Sequence, residues 1–301
     1  MPSSPTPPLP DDRVGAFQIE GEPVRGRIAR LGPAIDAILK AHDYPEPVAN
    51  LLGEACALAA LVGSNLKFEG RLIVEARGKG PVRYLIADYD TLGGLRGYCR
   101  FDAGLVTEAS GGFIRPGART LLGEGTFLMT VDQGPDMDRY QGVTAIEGET
   151  LALCAEQYFA QSEQTPTRVR LAVGHADNQW RAGGMLIQNI AEDDLRGSTE
   201  EPWRRTQAFF ETLGEDELTD PQLTSDQLLF RLFHEDGVRV FEPTQVSAVC
   251  RCSQDRITAV LKSFEPAERD DMVEPDGKIH VTCEFCSTVY AVAPGELVVG
   301  G

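Results

Sequence analysis

"HDYPEPVANLLGEACALAALVGSNLKFEG", residues 42–70, decides how the N-terminal half of the chain folds. Pro45 and Pro47 lack backbone donors and disfavour helix. The apolar segments on either side of "HDYPEP" therefore read as two helices with a break between them. The second, about 46–64, carries Leu51, Leu52, Cys56, Leu58, Leu61 and Val62 and is apolar nearly all round. A surface helix keeps a polar face, so this one is expected inside the protein.

Strand patterns surround that helix. Arg13 to Gly26 accommodates a first strand. Leu72, Val74 and Ala76 alternate, "GKGP" (78–81) makes a turn, and a second strand follows. "GEGTFLMTVDQG" (123–134) and "QGVTAIEG" (141–148) read as two more. A helical period through Leu151, Cys154, Tyr158 and Phe159 predicts a helix over about 149–163. "TRVRLAVG" (167–174) and "RAGGMLIQNI" (181–190) close the region as a strand pair. Strands alternating with helices in this way predict an α+β core domain with a mixed sheet, residues 12–191.

The composition changes at Glu192. Residues 192–226 hold eleven Asp/Glu against three Lys/Arg, with Pro202, Gly214 and Pro221 as breakers. Trp203, Phe209, Phe210, Leu213, Leu218 and Leu223 still offer an apolar face. "SDQLLFRLFHED" (225–236) has a helical pattern that Ser225 or Asp226 is placed to cap. The stretch 192–245 is expected to be a helical, acidic, metastable linker, weaker than the core because its charges repel and its helices are short.

The whole chain has 301 residues, 42% of them hydrophobic, and a formal net charge of −18. Such a charge repels a phosphate backbone, so no nucleic-acid partner is expected. The head, 1–11, is Pro- and Ser-rich and is expected to be disordered. It has neither the basic start nor the apolar run of a secretory signal, and no stretch approaches 18 consecutive apolar residues. No membrane contact is expected, and the localisation predicted is cytoplasmic, where thiols are kept reduced.

Four of the seven cysteines fall in a window of 37 residues near the end: Cys250 and Cys252 in "CRC", Cys283 and Cys286 in "CEFC". Close pairs let one tight turn present two sulfurs to one metal, and zinc takes four such ligands tetrahedrally. The segment between the pairs is long enough for a helix ("QDRITAVLKSF", with Ser253 or Asp255 near its start) and a strand ("GKIHVTC"). The pattern predicts a four-cysteine site in a small domain, 246–301, holding one Zn2+ in the reduced state. A redox CxxC is the other reading, although the βαβ context it requires is missing. His280 lies near enough to be a ligand, but four cysteines already satisfy zinc, so it is read as a strand residue. A unit this small has little core, so its fold depends on the metal. Thiolates also remain oxidisable, which makes a site of four cysteines beside a marginal linker a candidate switch.

Together with the long stretch quoted first, "RYQGVTAIEGETLALCAEQYFAQSEQTPTRV" (139–169), "AGGMLIQ" (182–188), "RLFHEDGVRVFEP" (231–243) and the two cysteine pairs resemble the heat shock protein 33 family of redox-regulated bacterial chaperones. The resemblance covers about residues 13 to 293. It implies that the reduced, zinc-bound protein is inactive. Oxidation would form disulfides Cys250–Cys252 and Cys283–Cys286, with Cys283 and Cys286 reacting first, and release the metal. The linker would then unfold, and an apolar surface would bind unfolding client proteins without ATP, the oxidised form being a homodimer. Ser287 departs from the pattern, since Gly or Asn is expected there. Cys56, Cys99 and Cys154 lie outside it; Cys56 and Cys154 read as inert core residues, and Cys99, which could be partly exposed, as a minor candidate for side oxidation.

No enzyme is expected: there is no phosphate-binding loop, nucleophile elbow or dinucleotide fingerprint. "GEGTFLMT" and "SGGF" are glycine turns, and His42, His175, His234 and His280 are scattered, with His42 and His234 assigned to capping or packing. Two other classes stay in view. A thiol–disulfide oxidoreductase would need only Cys283 and Cys286. A zinc ribbon binding a nucleic acid or protein would keep its metal under mild oxidation.

Overall fold

The computed structural model describes residues 11–134, 137–190 and 200–297. The head expected to be disordered, up to residue 10, and the first part of the acidic stretch, 191–199, lie outside the described residues. The chain divides into two compact units, Met1–Ala248 and Val249–Gly301.

Two sheets and a central helix make the larger unit. The stretch 13–26 is a hairpin and not one strand: β1 (Arg13–Ile19) pairs antiparallel with β2 (Val24–Leu31), and Gly21 supplies a positive φ of 72° at the turn. Helix α1 (Pro33–Leu39) and helix α2 (Glu46–Gly63) follow, separated at Tyr44–Pro45 as the prolines require. Strands β3 (Arg71–Gly78), β4 (Val82–Asp90) and β5 (Gly94–Phe101) form a meander; β5 is a strand beyond the pair expected here. Helices α3 (Ala103–Ser110) and α4 (Ala118–Leu122) lead to β6 (Gly125–Asp132) and β7 (Tyr140–Ala145). Helix α5 (Leu151–Tyr158), capped by Thr150, runs into a π-helical turn over Phe159–Glu163. Strands β8 (Thr167–Ala176) and β9 (Gln179–Asn189) pair along their length.

Helix α2 lies between the sheets. On one side it packs against β2, β8 and β9, on the other against β3, β4 and β5. It is the one described helix long and apolar enough to cross a membrane, and most of it is buried inside the unit. Leu52, Leu58 and Leu61 are fully buried, each contributing about 2 kcal/mol by leaving water. Cys56 sits in this interface. Cys99 does as well, only 2% exposed, which overturns its reading as a partly exposed thiol. The cause is local: β5 presents Gly97 and Cys99 to α2, and a side chain at Gly97 would stand 2.8 Å from the Cys56 sulfur. Burial holds both thiols well above the usual range, so they are inert.

The first sheet, ordered β10-β1-β2-β9-β8 with β11 also on β1, is apolar on both faces. Here β10 is Val238–Val240 and β11 Thr244–Gln245. Val14, Ala29, Leu31, Val169, Leu171, Ala182 and Leu186 face α2. The alternate residues, Phe17, Ile19, Val24, Ile28, Ala172, Met185 and Ile187, face the other way, as strand pleating dictates. This second face is covered by the acidic stretch, which is helical as expected: α6 (Glu200–Phe210), α7 (Glu215–Thr219) and α8 (Ser225–Phe233). Phe210, Leu213, Leu218, Leu228, Leu229, Leu232 and Phe233 close onto the sheet, with Phe17 and Phe233 stacked 5.9 Å apart. Thr224, and neither Ser225 nor Asp226, caps α8, its hydroxyl accepting from the Gln227 N–H.

Arginines fasten α7. Arg30 donates to the carbonyl oxygens of Glu217 (2.9 Å) and Asp220, and Arg181 Nε to that of Thr219 (2.7 Å). These are the carbonyls that a helix end leaves without partners. Arg115 pairs with Glu215 and donates to the Val173 carbonyl oxygen; Arg205 meets Glu22 and Asp236 at 2.6 and 2.7 Å. The last strand of the unit, β12 (Ser247–Ala248), runs parallel to β5 at the edge of the second sheet, ordered β12-β5-β4-β3-β6-β7.

The smaller unit contains helix α9 (Gln254–Lys262), helix α10 (Pro266–Asp271) and a hairpin of β13 (Ile279–Thr282) with β14 (Val289–Val292). Among its described residues the buried apolar core is Leu261, Ile279, Val292 and Leu297. That is too small a core to hold a fold unaided.

Candidate metal centre

Two local turns bring the four cysteines together. Cys283 and Cys286 occupy the tip of the β13–β14 hairpin, where the Cys283 N–H donates to the Thr288 oxygen and the Ser287 N–H to the Cys283 oxygen, both at 2.9 Å. Ser287 takes a left-handed φ of 57°, the conformation that Gly or Asn adopts most readily. The departure noted in the sequence thus falls on the residue that turns the chain around the site. Cys250 and Cys252 come from the extended segment before α9. Ser253 caps that helix by accepting from the Arg256 N–H (3.3 Å), and the Arg256 guanidinium donates to the Arg251 oxygen (2.7 Å). The Gln254 amide ties the start of α9 to the Ala291 oxygen of β14 at 3.2 Å.

The four Sγ atoms all lie within 4.8 Å of one another, with Cys250–Cys283 at 3.6 Å and Cys252–Cys286 at 3.4 Å. Four sulfurs about 2.3 Å from a tetrahedral ion stand about 3.8 Å apart, so the donor set suits a zinc-sized thiophilic metal. Among the described residues no other group of His, Cys, Asp and Glu is placed to hold a metal ion. His280 is a β13 residue whose Nε2 lies 2.8 Å from Asp276 Oδ2, and it is not among the clustered ligands.

Electrostatics separate the sulfurs. Burial pushes the Cys250 thiol up to about 12. Burial acts the same way on Cys286, but the hydroxyl and N–H of Thr288 outweigh it and bring that thiol down to about 6. Thr288 Oγ1 is 3.2 Å from Cys286 Sγ, and the Tyr290 hydroxyl donates to Cys252 Sγ at 3.0 Å. Neither Thr288 nor Tyr290 stood out in the sequence. The one available signal was strand alternation after the CxxC pair, which points Thr288 and Tyr290 to the same side. The remaining histidines make local contacts: His234 Nδ1 meets the Phe230 oxygen at 3.0 Å, His42 packs between Tyr44 and Tyr98, and His175 lies against the Trp180 ring.

The sequence profile of the family described as Hsp33 protein matches residues 12–293. The chain belongs to the heat shock protein 33 family. A relative from Caulobacter vibrioides (strain NA1000 / CB15N), named 33 kDa chaperonin, is 69% identical over 288 residues, covering 94% of this chain and 95% of its own. Another of that name, from Shewanella loihica, is 36% identical over 280 residues and covers 93% and 92%. The crystal structure of the 33 kDa chaperonin from Thermotoga maritima superposes with a TM-score of 0.80 at 22% identity, over 95% of this chain and 96% of that one, which supports the α+β fold. As an Hsp33 member the chain is a chaperone, and its family is not one of enzymes.

Proposed function

We propose that this Hsp33 chain is an oxidation-activated holdase of the cytoplasm that binds unfolding proteins without ATP. The observation that carries the proposal is the set of four Sγ atoms within 4.8 Å, contributed by a CxC and a CxxC pair to a unit with almost no core of its own. Zn2+ bound there by Cys250, Cys252, Cys283 and Cys286 would supply the cross-link that the small core lacks. Each pair gives up two electrons on forming its disulfide, Cys250–Cys252 or Cys283–Cys286. Hypochlorous acid accepts them and leaves as chloride and hydroxide; peroxide leaves as two hydroxides. The pairs then no longer offer thiolates, and they let the metal go.

Cys250 follows β12 by two residues, so loss of order in the small unit begins at the end of the last docked strand. On this reading the metastable element is the acidic stretch 192–245. Withdrawal of α6 and α8 would uncover Phe17, Ile19, Val24, Ile28, Met185 and Ile187 on the first sheet, a contiguous apolar face of the kind unfolded chains bind. The oxidised protein would be a homodimer.

The test follows metal and activity in one sample. Reduced protein of known zinc content is treated with hypochlorous acid, or with peroxide at raised temperature. Released metal is read with a metallochromic dye, and suppression of aggregation of a heat-labile protein is read without ATP. About one zinc per chain released together with suppression is the expected result. Release without suppression would sink the regulated-chaperone reading. Retained zinc would make the site a structural ribbon. Turnover of a dithiol substrate that survives loss of Cys250 would make it an oxidoreductase.

A further inference from the structure

The Tyr290 hydroxyl is a side-chain donor that reaches from the hairpin of one cysteine pair to a sulfur of the other. Tyr290 sits in β14, opposite Val281 in the hairpin that carries Cys283 and Cys286, yet its hydroxyl donates to the sulfur of Cys252 in the other cysteine pair. The distance is 3.0 Å. Gln254, two residues beyond Cys252, makes the second tie to the same strand through the Ala291 oxygen, so hydroxyl and sulfur are held in register from both sides. Thr288 stands in a comparable place for Cys286, but that contact stays within one turn.

We infer that Tyr290 is a positioning residue that tempers the nucleophilicity of Cys252, so that this sulfur of the CxC pair reacts only slowly with oxidants. This rests on the proposed reading of the site as an oxidisable metal centre. A hydrogen bond to a thiolate draws on the lone pair that would attack an electrophile. In the step with hypochlorous acid a thiolate sulfur takes chlorine, an S–Cl bond forms, the O–Cl bond breaks and hydroxide leaves. The second thiolate of the pair then displaces chloride to make the S–S bond. With its lone pair engaged by Tyr290, Cys252 is slowed in either part. The phenol therefore holds the CxC disulfide back until the bond from β14 is lost, for example when the CxxC hairpin has already reacted and moved.

The experiment is site-resolved alkylation of the reduced, zinc-loaded full chain with iodoacetamide. Trypsin cuts after Arg251 and puts Cys250 and Cys252 on separate peptides. Tyr290→Phe keeps the ring and removes the donor. Alkylation at Cys252 should rise on the order of fivefold, as one hydrogen bond predicts, with Cys283 unchanged. Zinc transfer to a chelator in the absence of oxidant should stay at the wild-type rate. An equal rate at Cys252 in wild type and variant, at full zinc content, overturns the inference. A faster loss to chelator that matches the faster alkylation also overturns it, because Tyr290 would then be a structural brace. Should Tyr290→Phe lose its zinc on purification, fluorotyrosine incorporation gives the independent reading. The more acidic phenol is the stronger donor and should slow Cys252, a change of sign that a packing role cannot produce. Tyr290 is the one tyrosine between residues 249 and 301, so the change can be assigned to it. No slowing there overturns the inference. The alkylation reads the sulfur alone, so it stands apart from whether chaperone activity follows oxidation.

Discussion

Gly183 of β9 lies directly beneath the carbonyl oxygen of Leu218 in α7, so close that any side chain at 183 would collide with the α7 backbone. The helix that covers the sheet therefore depends on a missing Cβ in the sheet. Gly183→Ala should lift α7 at a cost of about 1–3 kcal/mol, an ordinary value for overpacking. Hydrogen exchange of the reduced variant should show amides of 200–233 opening faster while those of α2 stay protected. Chaperone activity should appear at lower oxidant doses. Wild-type exchange across 200–233 would show that α7 is not where this stretch is fastened.

Cys283→Ser removes one of four clustered sulfurs from a unit whose described residues bury only four apolar side chains. Zinc affinity should fall on the order of 100-fold or more, and the unit should lose its dispersed NMR signals while the larger unit keeps its own. Metal analysis that finds one tightly held zinc per variant chain, with normal oxidative control, would refute the ligand assignment.

Ser287 holds a left-handed φ at the tip of the CxxC hairpin. Ser287→Gly relieves that conformation and should stabilise the metal-bound small unit by about 1 kcal/mol. Chelator competition at fixed pH measures the gain, and a weaker hold on zinc in the variant would contradict it.

Glu54 of α2 faces Glu215 and Arg115 where α7 meets the core. Burial, and secondarily the charge of Glu215, push its carboxyl up to about 8, against the opposing pull of Arg115. The folded protein thus keeps a proton that the unfolded chain has lost above the ordinary value of 4.5. Stability from this group is complete below about pH 4.5, falls as the pH rises toward 8 and is gone above it. Glu54→Gln should flatten the fall. Thermal midpoints of the two proteins from pH 5 to 9 should diverge most at the alkaline end, and parallel curves would remove Glu54 from the account.

The helix pair around Pro45 and Pro47, the buried α2 and the β8–β9 pair were legible because each follows from one strong local rule. Strand β5 was not, since Gly94 and Gly97 interrupt its apolar alternation; the reason for Gly97 is the close approach of Cys56 on another element. Cys99 was misjudged for the same reason, its burial being set by α2 and not by its neighbours in sequence. Helix α3 left a signal that can be read in hindsight, Asp102 capping its start and Gly111 turning left-handed at its end. At the candidate metal centre the cysteine spacing pointed to the four sulfurs that the fold brings within 4.8 Å of one another. Tyr290 and Thr288 carried no comparable signal, because their significance comes from hairpin register. The double apolar face of the first sheet was hidden too: β9 is buried on both sides, and its residues do not announce which core each one serves.

The covering of that sheet has a consequence for how a client could be let go. The helices α6 to α8 belong to the same chain as the surface they occupy, so they act on it as a tethered ligand whose effective concentration is of millimolar order. On the proposed reading, a client would hold the sheet only while that competitor is disabled. When reductant and metal return, the chain's own segment is already at hand and needs no diffusion to find its seat. Release would then be a contest of mass action that favours the tether, and the cycle would reset from the redox state of its surroundings with no nucleotide spent.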